Sequence, residues 1–463
     1  MSLFRKKDLM LLVAQGKKTG GLKRSLGTLD LTLLGIGGIV GAGIFVLTGL
    51  GSLTAGPALS LSFVIAAIAC AFAALSYAEF SSVIPVSGSV YTYTYATIGE
   101  FFAWLIGWDL VLEYGLSAAA VSTGWSGYFQ SLLGGFGLHL PTVISAAPGS
   151  IPGVTTFFNL PAFVIMILIT ALLAHGIRES ARVNNIMVVI KISVVLLFIA
   201  VGVNYVKPEN WHPYMPFGWD GVFKAAALVF FAYIGFDAVA SAAEEVKNPA
   251  HDLPRGILYS LGICTVLYVI VAAILTGIVP YQQFLGEDHP VSLALRYAKQ
   301  DWIAAFVDIG AVAGMTTVIL VMMYGQIRLF FAMSRDGLLP KIFSELHEKH
   351  QTPYKATWLI GVIAALVGGF LPLRTLGELV NIGTLAAFAL VSLAVIVMRR
   401  THPDLHRAFR CPGVPLLPIL AILFCVFLML ELKGVTWLAF AVWFLVGLVI
   451  YFGYSRKRSL LNS

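Results

Sequence analysis

The stretch GIGGIVGAGIF, residues 35–45, places five glycines in eleven positions of an otherwise apolar segment. The flanking sequence is apolar enough to form a helix, but each interior glycine costs a helix about 1 kcal/mol relative to alanine. Five glycines within about three turns predict that the helix breaks here. The alternative interpretation is close helix packing through small residues, since Gly37 and Gly41 have the GxxxG spacing.

The composition is that of an integral membrane protein. Of the 463 residues, 59% are hydrophobic and 11% are charged, whereas about 25% of residues are charged in an average soluble domain. Twelve segments have the length of about 20 apolar residues that crosses a bilayer. They lie near residues 31–52, 57–83, 101–126, 161–177, 184–205, 221–243, 255–279, 302–331, 356–372, 376–398, 415–432 and 435–454. We therefore predict one all-α membrane domain over residues 1–463, with twelve transmembrane helices.

The basic residues are distributed unevenly between the predicted loops. The formal net charge is +7, and with the N-terminus placed inside, 23 of the 30 lysines and arginines fall in cytoplasmic segments. This positive-inside bias predicts a multi-pass protein of the plasma membrane with both termini in the cytoplasm. It argues against nucleic acid as the partner of the basic charge. The four cysteines have neither disulfide nor metal-ligand spacing, so we expect no metal site.

A second interrupted span lies in FFAYIGFDAVASAAEEVKNP, residues 230–249, where a glycine and a carboxylate stand in the middle of the sixth apolar segment. Two interrupted segments at corresponding places in the two halves of a chain indicate an inverted-repeat transporter with a site near the middle of the membrane. This pairing favours a break over simple packing for the first glycine run. We predict repeat one over about 31–205, repeat two over about 221–398 and two appended helices over about 415–454.

The two breaks predict complementary halves of one binding site. The half-helix that begins near Ala42 and Gly43 exposes free N–H groups and a positive dipole end, which favour a carboxylate. The first half of span six ends near Phe231 and exposes carbonyl groups, which favour a cation. The carbonyl groups in question are those of Ile39, Phe231, Ala232 and Ile234. Donors and acceptors a few ångströms apart fit the carboxylate and the ammonium of an α-amino acid.

Five stretches from the first span to the tenth form a specific combination. They are GAGIF at 41–45, YAEFSSVIPVSGSVYTY at 77–93, GFDAVASAAEEVKNPAHDLPRGI at 235–257, AMSRDGLLP at 332–340 and IGTLAAFALVS at 382–392. In these stretches the chain resembles the amino acid, polyamine and organocation transporter superfamily, and within it the bacterial relatives of the cationic amino acid transporters. The resemblance implies a LeuT-like fold, a five-plus-five inverted repeat with discontinuous helices 1 and 6. This fold agrees with the repeat predicted above.

The resemblance also implies roles for the residues at the breaks. In the segment Gly41–Ala42–Gly43, the N–H groups of the last two residues would hold the substrate carboxylate. The carbonyl groups of Ile39, Phe231 and Ile234 would hold the amine, with Ala232 beside them. The side chain of Phe231 is either an aromatic gate over the substrate or plain packing.

Lys191 and Asp237 carry the prediction that transport is coupled to protons. Lys191 lies deep within the fifth span, where a charged side chain requires a specific reason. It is similar to a lysine that, in proton-coupled relatives, replaces the sodium ion between spans one and eight. Lys191 either carries the coupling proton or stays charged and supports the unwound backbone of span one. Asp237, at a position often acidic in the family, either acts in coupling or caps the lower half-helix.

Three further residues bear on the side chain of the substrate. Asp109 and Glu113 are four residues apart and share one face of the third span. They either attract a cationic substrate or pair with structural partners. Met322 and its neighbour Met323, in MTTVILVMMYGQ at 315–326, would narrow the cavity and favour small neutral substrates over arginine or lysine.

We predict a transporter that imports L-amino acids by alternating access, with the proton as coupling ion and no other cofactor. Its partners are the amino acid and the lipid bilayer, and a lipid or small membrane-protein partner is left open. An amino acid exchanger of the same fold and a nontransporting amino acid sensor are the alternatives. We do not predict an enzyme, because a membrane-embedded active site needs convergent reactive groups at one depth. The histidines fall instead in loops or at span ends.

Overall fold

The computed structural model describes residues 5–7, 26–83, 89–176, 181–237, 239, 246–350 and 352–462. These residues are mostly helical and include no named β-strand, which confirms the all-α prediction. An isolated parallel bridge joins Leu26 to Val246, next to the two predicted broken spans. Most of the basic N-terminus and the inner end of the predicted sixth span, residues 240–245, lie outside the described residues.

The helices follow the apolar segments of the sequence. They are α1 (Thr28–Ile39), α2 (Ala42–Phe45), α3 (Leu47–Ala55), α4 (Leu59–Val83), α5 (Ser89–Thr97), α6 (Glu100–Gly135), α7 (Leu160–Ala174), α8 (Ala181–Gly202), α9 (Gly218–Val229), α10 (Pro249–Ile278), α11 (Pro290–Tyr297), α12 (Asp301–Arg335), α13 (Tyr354–Phe370), α14 (Leu373–Thr401), α15 (Leu416–Leu430), α16 (Gly434–Ile450) and α17 (Arg456–Arg458). Helix α6 packs on α12 and α14, and α10 packs on α1 and α4. The end of the bundle where α6 begins, predicted to be cytoplasmic, is called the inner end below.

Seven helices of the described chain are long and apolar enough to cross a membrane. Four shorter apolar helices accompany them: Thr28–Ile39, Leu160–Ala174, Tyr354–Phe370 and Leu416–Leu430. The first of these four is short because it belongs to a predicted broken span. The count of twelve spans, the inverted repeat and the orientation of the termini stay predictions.

The first predicted span is interrupted at the glycine run. Helix α1 ends at Ile39, and Val40 follows in an extended conformation with φ −76° and ψ 98°. Gly41 is also non-helical, with φ −153° and ψ −141°, and α2 begins at Ala42. The chain therefore leaves and re-enters the helical conformation within three residues.

The sixth predicted span is also interrupted. Helix α9 ends at Val229 and tightens into a 3₁₀ turn over Phe230–Tyr233, after which Ile234 is extended. Gly235 has a φ of +117°, a conformation that residues with a Cβ rarely adopt. A glycine is therefore required where the chain turns out of the helix.

Several glycines of both breaks also allow close contact with neighbouring elements. A Cβ on Gly38 would lie 2.9 Å from the carbonyl oxygen of Gly235, and a Cβ on Gly43 would overlap the Cα of Ala232. A Cβ on Gly37 would lie 2.9 Å from Val188 of α8. The two interpretations of the glycine run, a helix break and close packing, are therefore both correct, at neighbouring positions.

Candidate functional site

The interruption of the first span presents backbone N–H groups to the interior. Ala42 and Gly43 are the first residues of α2, and the first N–H groups of a helix have no acceptor within that helix. Both residues are buried. The Tyr128 hydroxyl donates a hydrogen bond of 2.6 Å to the carbonyl oxygen of Phe45 and so fixes the other end of α2 against α6.

Some of the carbonyl groups at the breaks accept hydrogen bonds from side chains of other helices. Asn381 of α14 donates from its amide to the carbonyl oxygens of Ala227 and Leu228, at 2.7 and 2.9 Å. The Tyr268 hydroxyl donates to the carbonyl oxygen of Ile39 at 2.9 Å. A carbonyl oxygen has two lone pairs, so Ile39 keeps one for a further donor.

A small cavity lies between the two breaks. Its volume is about 10 Å³, close to the space that one water molecule needs. The backbone side of the cavity is formed by Gly38, Ile39, Gly41, Ala42, Gly43, Phe231 and Ile234. The opposite side is formed by Ser117 and Val121 of α6 and by Val318 and Met322 of α12. The cavity is thus polar through its peptide groups and largely apolar through its side chains.

The structure brings together most of the residues predicted for substrate binding. Seven of the nine line the cavity, and Ala232 packs against Gly43 just behind it. Glu113 does not line the cavity. It lies one helical turn from Ser117, which does.

Four lining residues were not predicted: Gly38, Ser117, Val121 and Val318. Helical spacing was the available signal for three of them. Ser117 and Val121 continue the face of α6 that carries Glu113, and Val318 lies four residues before Met322.

Lys191 is fully buried and lies beside the first break. Its Nζ donates a hydrogen bond of 2.8 Å to the carbonyl oxygen of Gly37, in the last turn of α1. Its aliphatic chain packs on Gly314 of α12, where a Cβ would lie 2.8 Å from the lysine Cγ. Lys191 of α8 therefore reaches between α1 and α12, that is, between predicted spans one and eight.

The buried acidic groups differ in their partners. Glu79 and Asp308 are in ion pairs: Arg399 lies 2.7 Å from Glu79, and Arg296 lies 2.9 Å from Asp308. Asp109 and Glu113 are each 1% exposed, and neither forms a recorded ion pair with a described residue. Glu113 lies beside the Thr384 hydroxyl of α14. Whether Asp109 and Glu113 attract a cationic substrate or pair with structural partners stays a prediction.

Asp237 is 3% exposed and follows directly on the turn at Gly235. It lies near Glu113 and near Tyr77 of α4, so the second break places a third acidic group on the inner side of the cavity. Whether it acts in coupling or as a cap stays a prediction.

Comparison with known proteins gives the family to which this arrangement belongs. A family model described as amino acid permease matches residues 26–454. The chain belongs to the amino acid permease family. It is 65% identical to the branched-chain amino acid permease BcaP of Bacillus subtilis, over 100% of this chain and 99% of the relative.

Two further relatives of this permease differ in their named substrates. It is 56% identical to the methylthioribose transporter of Bacillus subtilis, over 100% of this chain and 99% of that relative. It is 39% identical to the vacuolar cationic amino acid transporter 4 of Arabidopsis thaliana, over 85% of this chain and 65% of that relative. The bacterial permeases are thus the nearer relatives and the cationic transporters the more distant ones. The family and its relatives are transporters, which confirms that the chain is not an enzyme.

Proposed function

We propose that this permease imports a neutral L-amino acid with an apolar side chain across the plasma membrane, in symport with a proton. The observation that carries the proposal is that peptide groups from two interrupted helices line one buried cavity with largely apolar walls. Alternating access would open this cavity to one side of the membrane at a time. A LeuT-like repeat of five spans and cytoplasmic termini belong to the same proposal.

The substrate backbone would bind to the protein backbone. The N–H groups of Ala42 and Gly43, at the start of α2, suit the carboxylate because they add hydrogen bonds to the positive end of the helix dipole. The carbonyl groups of Ile39, Phe231 and Ile234 suit the ammonium. Every α-amino acid carries both groups, so this part of the site selects for the class and not for the side chain.

The walls of the cavity would select the side chain. Val121, Val318 and Met322 offer apolar contact, and no carboxylate of the described chain lines the cavity. A lysine or arginine side chain would have to be buried without a charged partner on these walls, which is costly. The 65% identity to a branched-chain amino acid permease supports the same preference.

The energy source would be a proton carried by Lys191. A proton bound to the amine strengthens its hydrogen bond to the carbonyl oxygen of Gly37, and loss of the proton weakens that support for the first break. Protonation of Lys191 would thus be linked to the geometry of the substrate site. Asp237, on the inner side of the second break, is the proposed partner in coupling.

Uptake of radiolabelled leucine, alanine and arginine into proteoliposomes tests the proposal. We expect leucine to accumulate with a pH gradient that is alkaline inside, without a requirement for sodium, and arginine to be taken up poorly. Lys191→Ala should abolish the response to the pH gradient. The matched control is Lys224→Ala, because Lys224 is exposed and pairs with Asp220 on the outer part of α9. A requirement for sodium, or an unchanged pH response in Lys191→Ala, would contradict the proposal.

The same liposomes separate the alternatives. An exchanger takes up leucine only when amino acid is present inside, with no response to a pH gradient. A sensor binds leucine without flux. Methylthioribose enters the test as a competitor, because one relative is named for it and Ser117 gives the cavity lining a polar side chain. If methylthioribose competes more strongly than unlabelled leucine, the substrate would be reassigned to methylthioribose.

A further inference from the structure

A row of buried oxygen atoms runs along α6. Asp109, Glu113 and Ser117 follow one another at intervals of four residues and therefore share one face of the helix. Each is 1% exposed. Both carboxylate oxygens of Asp109, one of Glu113 and the hydroxyl of Ser117 have no hydrogen-bond partner within the described chain. Buried polar atoms are nearly always hydrogen-bonded, so the row points to a bound species.

The row leads from the substrate cavity towards the inner end. Ser117 lines the cavity, and Asp109 lies two turns closer to the start of α6. At a rise of 1.5 Å per residue, the two are about 12 Å apart along the helix axis. Asp109 packs directly on the backbone of α14, because a Cβ on Gly383 would lie 2.7 Å from a carboxylate oxygen. Glycine at this position leaves room for the carboxylate.

Asp109 and Glu113 are called the acidic pair below. The residues around the pair supply further hydrogen-bond acceptors. Asp237 and Tyr77 are the titratable groups near the pair. Helix α14 presents Gly383 and Thr384, and the fully buried Thr384 hydroxyl lies beside Glu113.

The chemistry of such a site favours a proton. Two buried carboxylates without a counter-charge are costly. A proton on one carboxyl removes one charge and creates an O–H donor for the acceptors around it. Two neighbouring acids that share one proton titrate as a pair and not as independent groups.

We propose that Asp109 and Glu113 form a proton-binding pair between the substrate cavity and the inner end, separate from Lys191. The proposal rests on the proton-coupled function proposed above. One O–H bond forms when a carboxylate of the pair takes up a proton, and the same bond breaks when the proton leaves to water at the inner end. No electron is transferred. Lys191 contacts α1 and α12, whereas the pair faces α14, so the two sites lie on different sides of the cavity.

Infrared difference spectroscopy on the purified permease tests the pair directly. A pH step should show the carbonyl band of a buried protonated carboxyl in the wild type. The band should disappear or shift in Asp109→Asn and in Glu113→Gln. The matched control is Asp220→Asn, which removes an exposed carboxylate on α9 and should leave the band unchanged. The same band in all four proteins would overturn the proposal.

Transport gives a second readout. A gradient of about one pH unit supports about tenfold accumulation by a one-proton symporter, and Asp109→Asn should lose this accumulation while it keeps leucine counterflow. Asp109→Glu, which retains a titratable group, should regain part of it. Wild-type accumulation in Asp109→Asn would overturn the proposal. If the wild type itself moves no protons, the symport proposal fails, and the infrared band still decides whether the pair binds a proton.

Discussion

Gly43 shows how strongly single residues determine the substrate site. Its Cα lies so close to Ala232 that a Cβ would overlap the backbone of the second break. Likewise, a Cβ on Gly38 would lie 2.9 Å from the carbonyl oxygen of Gly235. Backbone atoms in a packed core cannot move aside as the end of a flexible side chain can. Glycine at these two positions is what lets both breaks face one cavity.

We therefore expect Gly43→Ala to abolish leucine binding and to lower the free energy of unfolding by about 1–3 kcal/mol, as overpacking of a core does. Leucine binding and thermal unfolding in detergent would measure the two effects. The matched control is Gly262→Ala in α10, where no atom lies within 4 Å of the added Cβ. This control should bind normally and gain up to about 1 kcal/mol from its higher helix propensity. Normal binding by Gly43→Ala would contradict the proposed contact.

The residues at the breaks were predictable because glycine density and unpaired peptide groups follow from the sequence itself. The side walls were harder to predict. Met322 was found, but Ser117 and Val318 were not, although each lies four residues from a predicted residue. A helix that is apolar on all sides does not reveal which face it turns inward. The partner of a buried acid such as Glu79 is equally hidden, because Arg399 lies on another helix.

Each interrupted helix is stabilised by side chains from other elements. Lys191 of α8 donates to Gly37, Tyr268 of α10 donates to Ile39, and Asn381 of α14 donates to the carbonyl groups at the end of α9. Backbone polar groups at membrane depth must find partners within the protein. The breaks are therefore products of the whole bundle as well as of their own glycines.

The role of Asn381 gives a prediction for α9. Asn381→Leu keeps a similar volume but leaves the carbonyl groups of Ala227 and Leu228 without their donors, so we expect a loss of about 1–3 kcal/mol in the free energy of unfolding. Leucine uptake should fall as well, because α9 leads into the site. Asn204→Leu is the matched control, since Asn204 also donates to helix-end carbonyl groups but is exposed. Equal stability of the two variants would contradict this role.

The elements themselves were largely predictable, since each apolar segment of the sequence contains a described helix. The 3₁₀ turn at the end of α9 and its cap were not. Asn381 is 154 residues from Ala227 along the chain, and no local pattern links them. Pairings of this kind depend on how the helices pack and not on their individual sequences.

Ion pairs join neighbouring helices at both ends of the bundle. At the outer end, Arg296 of α11 bridges to Asp308 of α12 at 2.9 Å and donates to the Ser131 hydroxyl of α6 at 2.9 Å. At the inner end, Arg399 of α14 binds Glu79 of α4 at 2.7 Å. Alternating access requires contacts at one end to loosen while those at the other hold.

The segment between α10 and α12, residues 281–300 and called the outer segment below, contains two neighbouring groups, Asp288 and His289, with opposite pH responses. Burial, with help from Glu287, raises the pKa of Asp288 to about 6. Burial, with help from Arg296, lowers the pKa of His289 to about 4. The stability contributed by Asp288 is present at acid pH and is lost as the pH rises through about 6. That contributed by His289 is present above its unfolded pKa and is lost as the pH falls towards about 4.

Between pH 7 and 5, the two contributions should largely offset each other in the wild type. Asp288→Asn should make the outer segment less stable at pH 5 than at pH 7, because the gain from Asp288 no longer offsets the loss from His289. His289→Gln should do the reverse. Hydrogen exchange over residues 281–300, corrected for the intrinsic effect of pH, would measure both. The same pH response in both variants would contradict this assignment.

The most direct test of the account is an experimental structure of the permease with bound leucine. We expect the carboxylate within about 3 Å of the N–H groups of Ala42 and Gly43, as in an ordinary hydrogen bond. The ammonium should face the carbonyl oxygens of Phe231 and Ile39, and the side chain should lie against Val318 and Met322. Leucine bound away from these residues, or continuous helices through residues 39–43 and 230–235, would contradict the account.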